Sequence, residues 1–106
     1  MDRPIPAVDE VQDCIASGNY QFTLHAATRI TLRHISVRAV EDAILSDRAE
    51  IIETYPTDPR GPSLLMLGFV ANASPLHIHC TYPPLLAIIT VYEPRSGQWR
   101  NWRVRL

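Results

Sequence analysis

A histidine and two arginines recur at helical spacing within residues 22–34, which read FTLHAATRITLRH. His25, Arg29 and Arg33 are four residues apart, so at 3.6 residues per turn they share one side of a helix. Histidine exchanges protons near neutral pH, and arginine binds phosphate or carboxylate through its planar guanidinium. A different side of the same helix carries apolar residues that can pack against a core: Ala26, Ala27 and Ile30. The helix face that carries His25, Arg29 and Arg33 is therefore a candidate site for acid–base chemistry and for binding an anion.

Two more histidines alternate on a strand predicted at residues 76–82. His77 and His79 share one face, while the other carries Leu76, Ile78, Cys80 and Tyr82. The His77 and His79 spacing can supply two metal ligands, but no acidic or cysteine residue follows on that face. A metal site is therefore secondary, and a polar, solvent-facing sheet surface is the simpler interpretation. If the 22–34 helix packs on the apolar face, His25 reaches His77 only around an edge.

The elements that must position these residues follow from hydrophobic periodicity and capping residues. Helices are predicted at residues 8–17, 23–34 and 37–46, with Thr23 and Ser36 as N-caps. Strands are predicted at residues 20–22, 50–55, 64–71, 76–82 and 86–92, with a tight connection at residues 72–74. In the last strand, Thr90 and Tyr92 are expected on one face, with Ala87, Ile89 and Val91 on the other. The pattern predicts an α+β fold with N-terminal short helices packed on one face of an antiparallel sheet of about four strands.

Length and composition narrow the class of protein. At 106 residues the chain is the size of one domain, predicted to have helices within 6–46, a sheet within 49–93 and a basic, aromatic tail at 98–106. That tail is expected to be an edge strand or a last helical turn. No apolar run approaches the ~20 residues of a membrane span, so a cytoplasmic protein without a membrane partner is expected. Cys14 and Cys80 fit reduced core thiols, and no cofactor is expected.

The charge balance restricts the kind of partner. All ten basic residues other than histidine are arginine, and the formal net charge is -1. The chain therefore lacks the strong positive field of a non-specific nucleic-acid binder, and any basic site must be local.

Three segments together resemble a known bacterial family. Residues 22–30 read FTLHAATRI, residues 75–78 read PLHI, and residues 89–94 read ITVYEP with Trp99 shortly after. They match, in order and spacing, the F/Y-[ST]-x-H-A-x-x-R helix, P-L-H strand and I-T-V-Y strand of the "domain of unknown function 4258" family. This family looks like a relative of the RelE/ParE-like toxins, in which two helices pack on an antiparallel sheet. The resemblance implies a toxin of a toxin–antitoxin system, with an antitoxin partner and with RNA or the ribosome as target.

An RNA-cleaving toxin that uses no metal needs a base, an acid and cations on the phosphate. The resemblance makes His25, Arg29, His77 and Tyr92 the candidate catalytic residues, with the histidines as acid and base and the Tyr92 phenol orienting or donating a proton. Candidates for RNA or phosphate binding are Arg33 and the tail residues Trp99, Arg100, Trp102 and Arg103, which could stack on bases and follow the backbone.

Structural roles compete with this interpretation. His25 could brace the sheet while Arg29 pairs with a carboxylate such as Asp42 or Glu53. His34 is expected on the packed side of its helix, and Arg33 could be a solvated side chain. The alternative function is a non-catalytic module that binds protein or nucleic acid. An exposed edge at residues 99–105 would also allow pairing with a second copy of the chain.

Overall fold

A computed structural model describes residues 4–71 and 73–106 and has an α+β fold. The helices are α1 (Val8–Ala16), α2 (Leu24–Leu32) and α3 (Val37–Leu45). The strands are β1 (Tyr20–Phe22), β2 (Glu50–Tyr55), β3 (Ser63–Phe69), β4 (Pro75–Thr81), β5 (Leu86–Tyr92), β6 (Trp99–Arg100) and β7 (Val104–Arg105). The predicted elements are confirmed to within two residues. The predicted 72–74 connection includes residue 72, which lies outside the described residues. No helix among those described is long and apolar enough to cross a membrane.

The sheet has five strands in the order β1-β5-β4-β3-β2, so the expected number of four was too low. β1 adds to the β5 edge in parallel, with Tyr20 opposite Leu86 and Phe22 opposite Ile88, whereas the other pairs are antiparallel. The strand at residues 20–22 was predicted, but its parallel pairing with β5 joins distant parts of the chain, and local periodicity gives no signal for such a pairing. The tail forms a separate two-stranded hairpin of β6 and β7.

The N-caps form where they were predicted. The Thr23 side chain accepts a hydrogen bond from the Ala26 amide at 3.1 Å, and the Ser36 side chain accepts one from the Ala39 amide at 3.0 Å. Such caps satisfy amides that a helix leaves unpaired in its first turn. The helices that they begin, α2 and α3, follow one another directly and both contribute to the core.

The core lies between the helices and one face of the sheet. Among its members are Val11, Ile30, Val40, Ile44, Met66, Ile78 and Val91. α3 approaches β3 so closely that a Cβ atom at Gly68 would overlap the Ala43 carbonyl. Only glycine fits this contact between backbones.

α2 continues along the β5 edge that β1 leaves free. The Thr23 amide donates to the Ile88 carbonyl at 3.0 Å, and Arg33 Nη1 donates to the Val91 carbonyl at 2.6 Å. This placement brings the polar side of α2 beside the sheet face opposite the helices, here named the second face. His34 was expected on the packed side, but it is exposed with φ of 56°, because α2 ends at Leu32 and the chain turns.

The strand alternation predicted for β5 is wrong at its centre. The pairing with β4 shifts between His79 opposite Thr90 and Cys80 opposite Ile88, which leaves Ile89 as a bulge. Ile88 and Val91 therefore belong to the core, whereas Ile89 lines the second face with Thr90. A β-bulge places two consecutive side chains on the same side of a strand.

Candidate functional site

The C-terminal hairpin covers part of the second face. Trp99 is only 4% exposed, and its ring stands edge-on to that of His77, with ring centres 4.4 Å apart. Three residues connect the two strands of the hairpin. Asn101 and Trp102 both have positive φ, 54° and 60°, and the Arg103 amide donates to the Arg100 carbonyl at 3.1 Å, which closes a turn of the hand that hairpins favour. Two ion pairs hold the hairpin to β2: Arg103 with Glu50 at 2.8 Å and Arg105 with Glu53 at 3.0 Å.

His77 is completely buried beneath this hairpin. Its Nε2 lies 2.6 Å from the Trp102 carbonyl oxygen, and its Nδ1 lies 3.1 Å from the Tyr92 hydroxyl. Because a carbonyl can only accept, Nε2 carries the proton and donates it, and Nδ1 accepts from the phenol. Burial lowers the pKa of His77, which favours this neutral form. Both ring nitrogens are therefore occupied within the fold.

Beside the hairpin the second face is open and forms a groove of about 690 Å³, here named the His79 groove. Its floor is the sheet, one wall is the loop at residues 56–60, and Arg105 of β7 forms part of the other wall. The lining side chains that could act on a ligand are Tyr55, Asp58, Arg60, His79, Thr90, Tyr92 and Arg105. Ligand sites are typically concave, with a few polar groups converging on an otherwise apolar wall.

A hydrogen-bonded chain orients His79 within the groove. The Ser63 hydroxyl lies 2.8 Å from an Asp58 carboxylate oxygen and 2.9 Å from His79 Nε2. The ionised carboxylate can only accept, so Ser63 donates to Asp58 and accepts the N–H of His79 Nε2. Nδ1 then has a lone pair and makes no hydrogen bond within residues 4–71 and 73–106. Burial and the nearby Arg60 lower the pKa of His79, so the ring is neutral at pH 7 and Nδ1 can accept a proton.

The two arginines of the groove are each held by a carboxylate. Arg60 Nε and Nη2 both lie 3.2 Å from Asp58 oxygens, and these hydrogen bonds hold the pKa of Asp58 well below its usual range. Arg105 Nε donates to Glu53 at 3.0 Å, and its guanidinium lies 4.6 Å from the centre of the Trp99 ring. Arg60 Nη1 makes no hydrogen bond among the described residues, which leaves it able to bind an anion.

His25 lines a second recess of about 450 Å³ that adjoins the His79 groove. Arg60 and Thr90 line both spaces, so an extended ligand could pass from one to the other. The bulge at Ile89 contributes to the floor of this recess. The structure thus places exposed His25 next to the groove that contains His79, and not next to His77.

Arg33 lines a third recess, of about 510 Å³, with Arg95 and Gln98. Tyr92 lies between this recess and the His79 groove, because it lines both. Arg29 is exposed on α2 and makes no ion pair with any described residue. The carboxylates suggested for it have other partners, since Asp42 pairs with Arg38 and Glu53 with Arg105.

The aromatic residues of the tail pack on the sheet. Trp99 covers His77, and the Trp102 ring stands edge-on to Phe69 with centres 5.9 Å apart. Arg103 is paired with Glu50, whereas Arg100 is exposed.

No group of three or more histidine, cysteine or acidic side chains able to hold a metal lies within the described part of the chain. His77 and His79 share a strand face. However, hydrogen bonds occupy both ring nitrogens of His77 and Nε2 of His79.

The sequence suggested for His79 either a solvent-facing sheet surface or, secondarily, a metal site, and it did not identify Ser63, Asp58 or Arg60. The segment that supplies Asp58 and Arg60 reads TDPRGP and was interpreted as a turn. Asp58 and Arg60 lie two residues apart in this turn, and this pattern could have marked them as candidate site residues. Their contacts with His79, however, depend on the register of the strands, which the sequence does not show.

Comparisons with known proteins identify a family and nothing further. Comparison with curated proteins gave no match, and neither did comparison with solved structures. A family model described as a domain of unknown function, DUF4258, matches residues 22–93 of the 106. This range includes α2, all five strands of the sheet except the first two residues of β1, and the His79 groove apart from Arg105. The chain therefore belongs to the DUF4258 family.

Proposed function

We propose that the His79 groove is the active site of a metal-independent endoribonuclease, a toxin-like domain similar to the RelE/ParE-like group. The observation that carries the proposal is the neutral His79 ring, oriented by Ser63 and Asp58 and left with a proton-accepting Nδ1. Arg60 and Arg105 line the same groove, as does the phenol of Tyr92. A base beside cations that can bind phosphate is the arrangement that RNA cleavage without a metal requires.

The proposed reaction is a transfer of the phosphodiester to the neighbouring ribose oxygen. His79 Nδ1 takes the proton of the 2′-hydroxyl, and that oxygen attacks the adjacent phosphorus. The bond from phosphorus to the 5′-oxygen breaks, and His25 gives a proton to the departing oxygen. The products are a 2′,3′-cyclic phosphate and a 5′-hydroxyl, so atoms and charge balance. Arg60 and Arg105 stabilise the negative charge that develops on the phosphate oxygens.

His77 has a supporting role in this scheme. It accepts a hydrogen bond from the Tyr92 hydroxyl at 3.1 Å and thereby fixes the phenol that lines the groove. Burial raises the pKa of Tyr92, so the phenol stays protonated and orients the substrate.

The test is cleavage of end-labelled single-stranded RNA in the presence of EDTA, which inactivates contaminating nucleases that depend on a metal. His79→Asn should reduce the rate at least ~100-fold, the usual contribution of a positioned acid or base. His34→Asn is the matched control, because His34 is exposed and asparagine tolerates its positive φ. Equal cleavage by wild type and His79→Asn would remove His79 from the mechanism. Binding without cleavage by the wild type would favour the alternative, a non-catalytic nucleic-acid-binding module.

We also propose an antitoxin partner, on the strength of the toxin resemblance. Leu24 is 85% exposed and precedes His25 in the chain. A partner protein that covers the His25 recess would therefore also bury the apolar side chain of Leu24. A short open reading frame beside the gene should encode this partner. Its product should co-purify with the chain and suppress cleavage, and a product that leaves the rate unchanged would contradict the proposal.

A further inference from the structure

We infer that the recess lined by Arg33 and Arg95 binds a backbone phosphate of a single-stranded nucleic acid whose adjoining part lies in the His79 groove. The inference rests on the proposed function for the identity of the polymer. It adds a second binding position, formed by the end of α2 and the segment between β5 and β6. Here the pair of side chains is named the Arg33–Arg95 pair.

Arg33 is already oriented for this role. Its Nη1 donates to the Val91 carbonyl at 2.6 Å, which fixes the guanidinium plane against the β5 edge. Nε and Nη2 make no hydrogen bond within the described residues and form one edge of the planar fork. That edge can donate two parallel hydrogen bonds to a phosphate. Because Val91 already restrains the side chain, less conformational entropy is lost on binding.

The charge of the pair is not neutralised by ion pairs. Within the described part of the chain, four arginines have a carboxylate partner within ion-pair distance: Arg38, Arg60, Arg103 and Arg105. Arg33 and Arg95 have none among residues 4–71 and 73–106. Glu93 also lines the recess, so the local sum is two positive charges and one negative charge. This local excess stands out in a chain whose net charge is -1, and it favours an anion at this position.

Tyr92 connects the recess to the groove, because its side chain lines both. β5 then continues past the groove to Ala87 in the His25 recess. At a rise of ~3.4 Å per residue, the path from Tyr92 to Ala87 is roughly 17 Å, which is longer than one nucleotide. Each recess has the volume of a small-molecule site, so it can take a nucleotide of a single strand, whereas a double helix is too wide to enter.

Binding can be measured separately from cleavage with a fluorescent oligonucleotide that is 2′-O-methylated throughout and so lacks the attacking hydroxyl. Arg95→Ala is the decisive variant, since the Arg95 side chain makes no hydrogen bond or ion pair with other described residues that the substitution would break. Its affinity at low salt should fall on the order of tenfold. The slope of log K against log salt should become shallower by about 0.7, the value for one lost phosphate contact on a single strand.

Arg38→Ala is the control. Arg38 is exposed on α3, and it lines neither the His79 groove nor the recesses that contain His25 and Arg33. A second series replaces one phosphate at a time by an uncharged methylphosphonate. At one linkage the replacement should weaken wild-type binding clearly more than it weakens binding by Arg95→Ala, in which Arg33 still contacts the phosphate. This linkage identifies the phosphate that the pair contacts.

The outcomes separate this inference from the proposed function. Equal affinities for Arg95→Ala and Arg38→Ala would overturn the inference even if RNA is cleaved. An Arg95 effect of the same size whichever linkage is replaced would also overturn it. A linkage-specific Arg95 effect in a protein that cleaves nothing would support the binding position and refute the nuclease. Failure of the wild type to bind any oligonucleotide would overturn both.

Discussion

His77 and His79 lie two residues apart on the same face of β4, yet their surroundings differ completely. His77 is sealed beneath the C-terminal hairpin, whereas the side chain of His79 is 17% exposed and lines a groove. The strand pattern is the same for both residues. The hairpin decides which half of the second face is core and which half is open to a ligand.

The hydrogen bonds of the two rings differ in the same way. His77 uses both ring nitrogens on groups of the fold, the Trp102 carbonyl and the Tyr92 hydroxyl. His79 uses Nε2 on Ser63 and keeps Nδ1. A histidine that is fully satisfied by its own chain stabilises the fold, whereas one with a remaining acceptor in a groove can react. We therefore expect substitutions beneath the hairpin to lower mainly the stability of the fold and substitutions in the His79 groove to lower mainly the rate of cleavage.

The largest expected effect comes from removing the cover. Trp99→Ala deletes a large buried ring and exposes His77, so the free energy of unfolding should fall by about 3–5 kcal/mol. Urea denaturation measures this change. Leu85→Ala, at a side chain that is 87% exposed, is the control and should change stability little. A loss below about 1 kcal/mol for Trp99→Ala would show that the hairpin does not form part of the core.

The next effect compares the two histidines directly. His77→Ala leaves the Trp102 carbonyl and the Tyr92 hydroxyl without their partner, and an unsatisfied buried polar group costs about 1–3 kcal/mol. His79→Ala breaks one hydrogen bond at a half-open position and should cost about 0.5–1.5 kcal/mol. Denaturation of both variants tests the order. If His79→Ala proved the more destabilising, the division into a sealed half and an open half would be wrong.

The acid limb of the pH dependence of cleavage should report on His79. The base must be neutral, so the rate should rise with pH as His79 loses its proton. Burial and the Arg60 charge lower the pKa of His79, and the Asp58 carboxylate raises it. Asp58→Asn removes the influence that raises the pKa, so the acid limb of the rate profile should move to lower pH. The plateau rate should also fall, because a neutral amide oxygen accepts the Ser63 hydrogen bond more weakly than the carboxylate does.

Arg60→Ala should move the acid limb of the rate profile to higher pH, since it removes a charge that lowers the pKa of His79. Rates measured across the range in which histidine titrates distinguish the two variants. Shifts of the same sign would mean that another group controls the limb.

The smallest expected effect concerns the attachment of the hairpin to β2. Arg103 and Glu50 form a bidentate contact at 2.8 and 3.0 Å, but both side chains are partly exposed. Such pairs contribute about 0.2–1 kcal/mol, less in salt. A double-mutant cycle with Arg103→Ala and Glu50→Ala should return a coupling energy in this range. A value near that of Trp99→Ala would mean that ion pairs, and not the aromatic cover, hold the hairpin in place.

Local patterns predicted the fold well, because helices, caps and strand faces depend on neighbouring residues. The division of β4 into a core face and a histidine face was correct, but the histidine face is not all open to solvent, because His77 is completely buried. The parallel β1 was missing from the predicted sheet, since its pairing with β5 depends on residues far along the chain. The bulge at Ile89 was also missed, because strict alternation leaves no room for an extra residue.

The site was harder to predict than the fold, for a physical reason. Asp58 and Ser63 approach His79 only through the register of β3 and β4, in which Ser63 stands opposite Thr81 and Leu65 opposite His79. The cover over His77 is likewise made by contacts between distant residues, such as Trp99 with His77 and Arg103 with Glu50. Periodicity assigns a residue to a face, but these long-range contacts determine which part of that face is covered.

The contact between Arg33 and the Val91 carbonyl joins residues 58 apart, and this has a consequence for synthesis. Contacts between distant residues form late in folding, because the intervening loop must close first. While the ribosome makes the chain, α2 emerges long before β5, so His25 and Arg33 have no groove beside them until the last strand of the sheet follows. A domain that cleaves RNA through this groove would therefore become active only after the last strand of its sheet has been made.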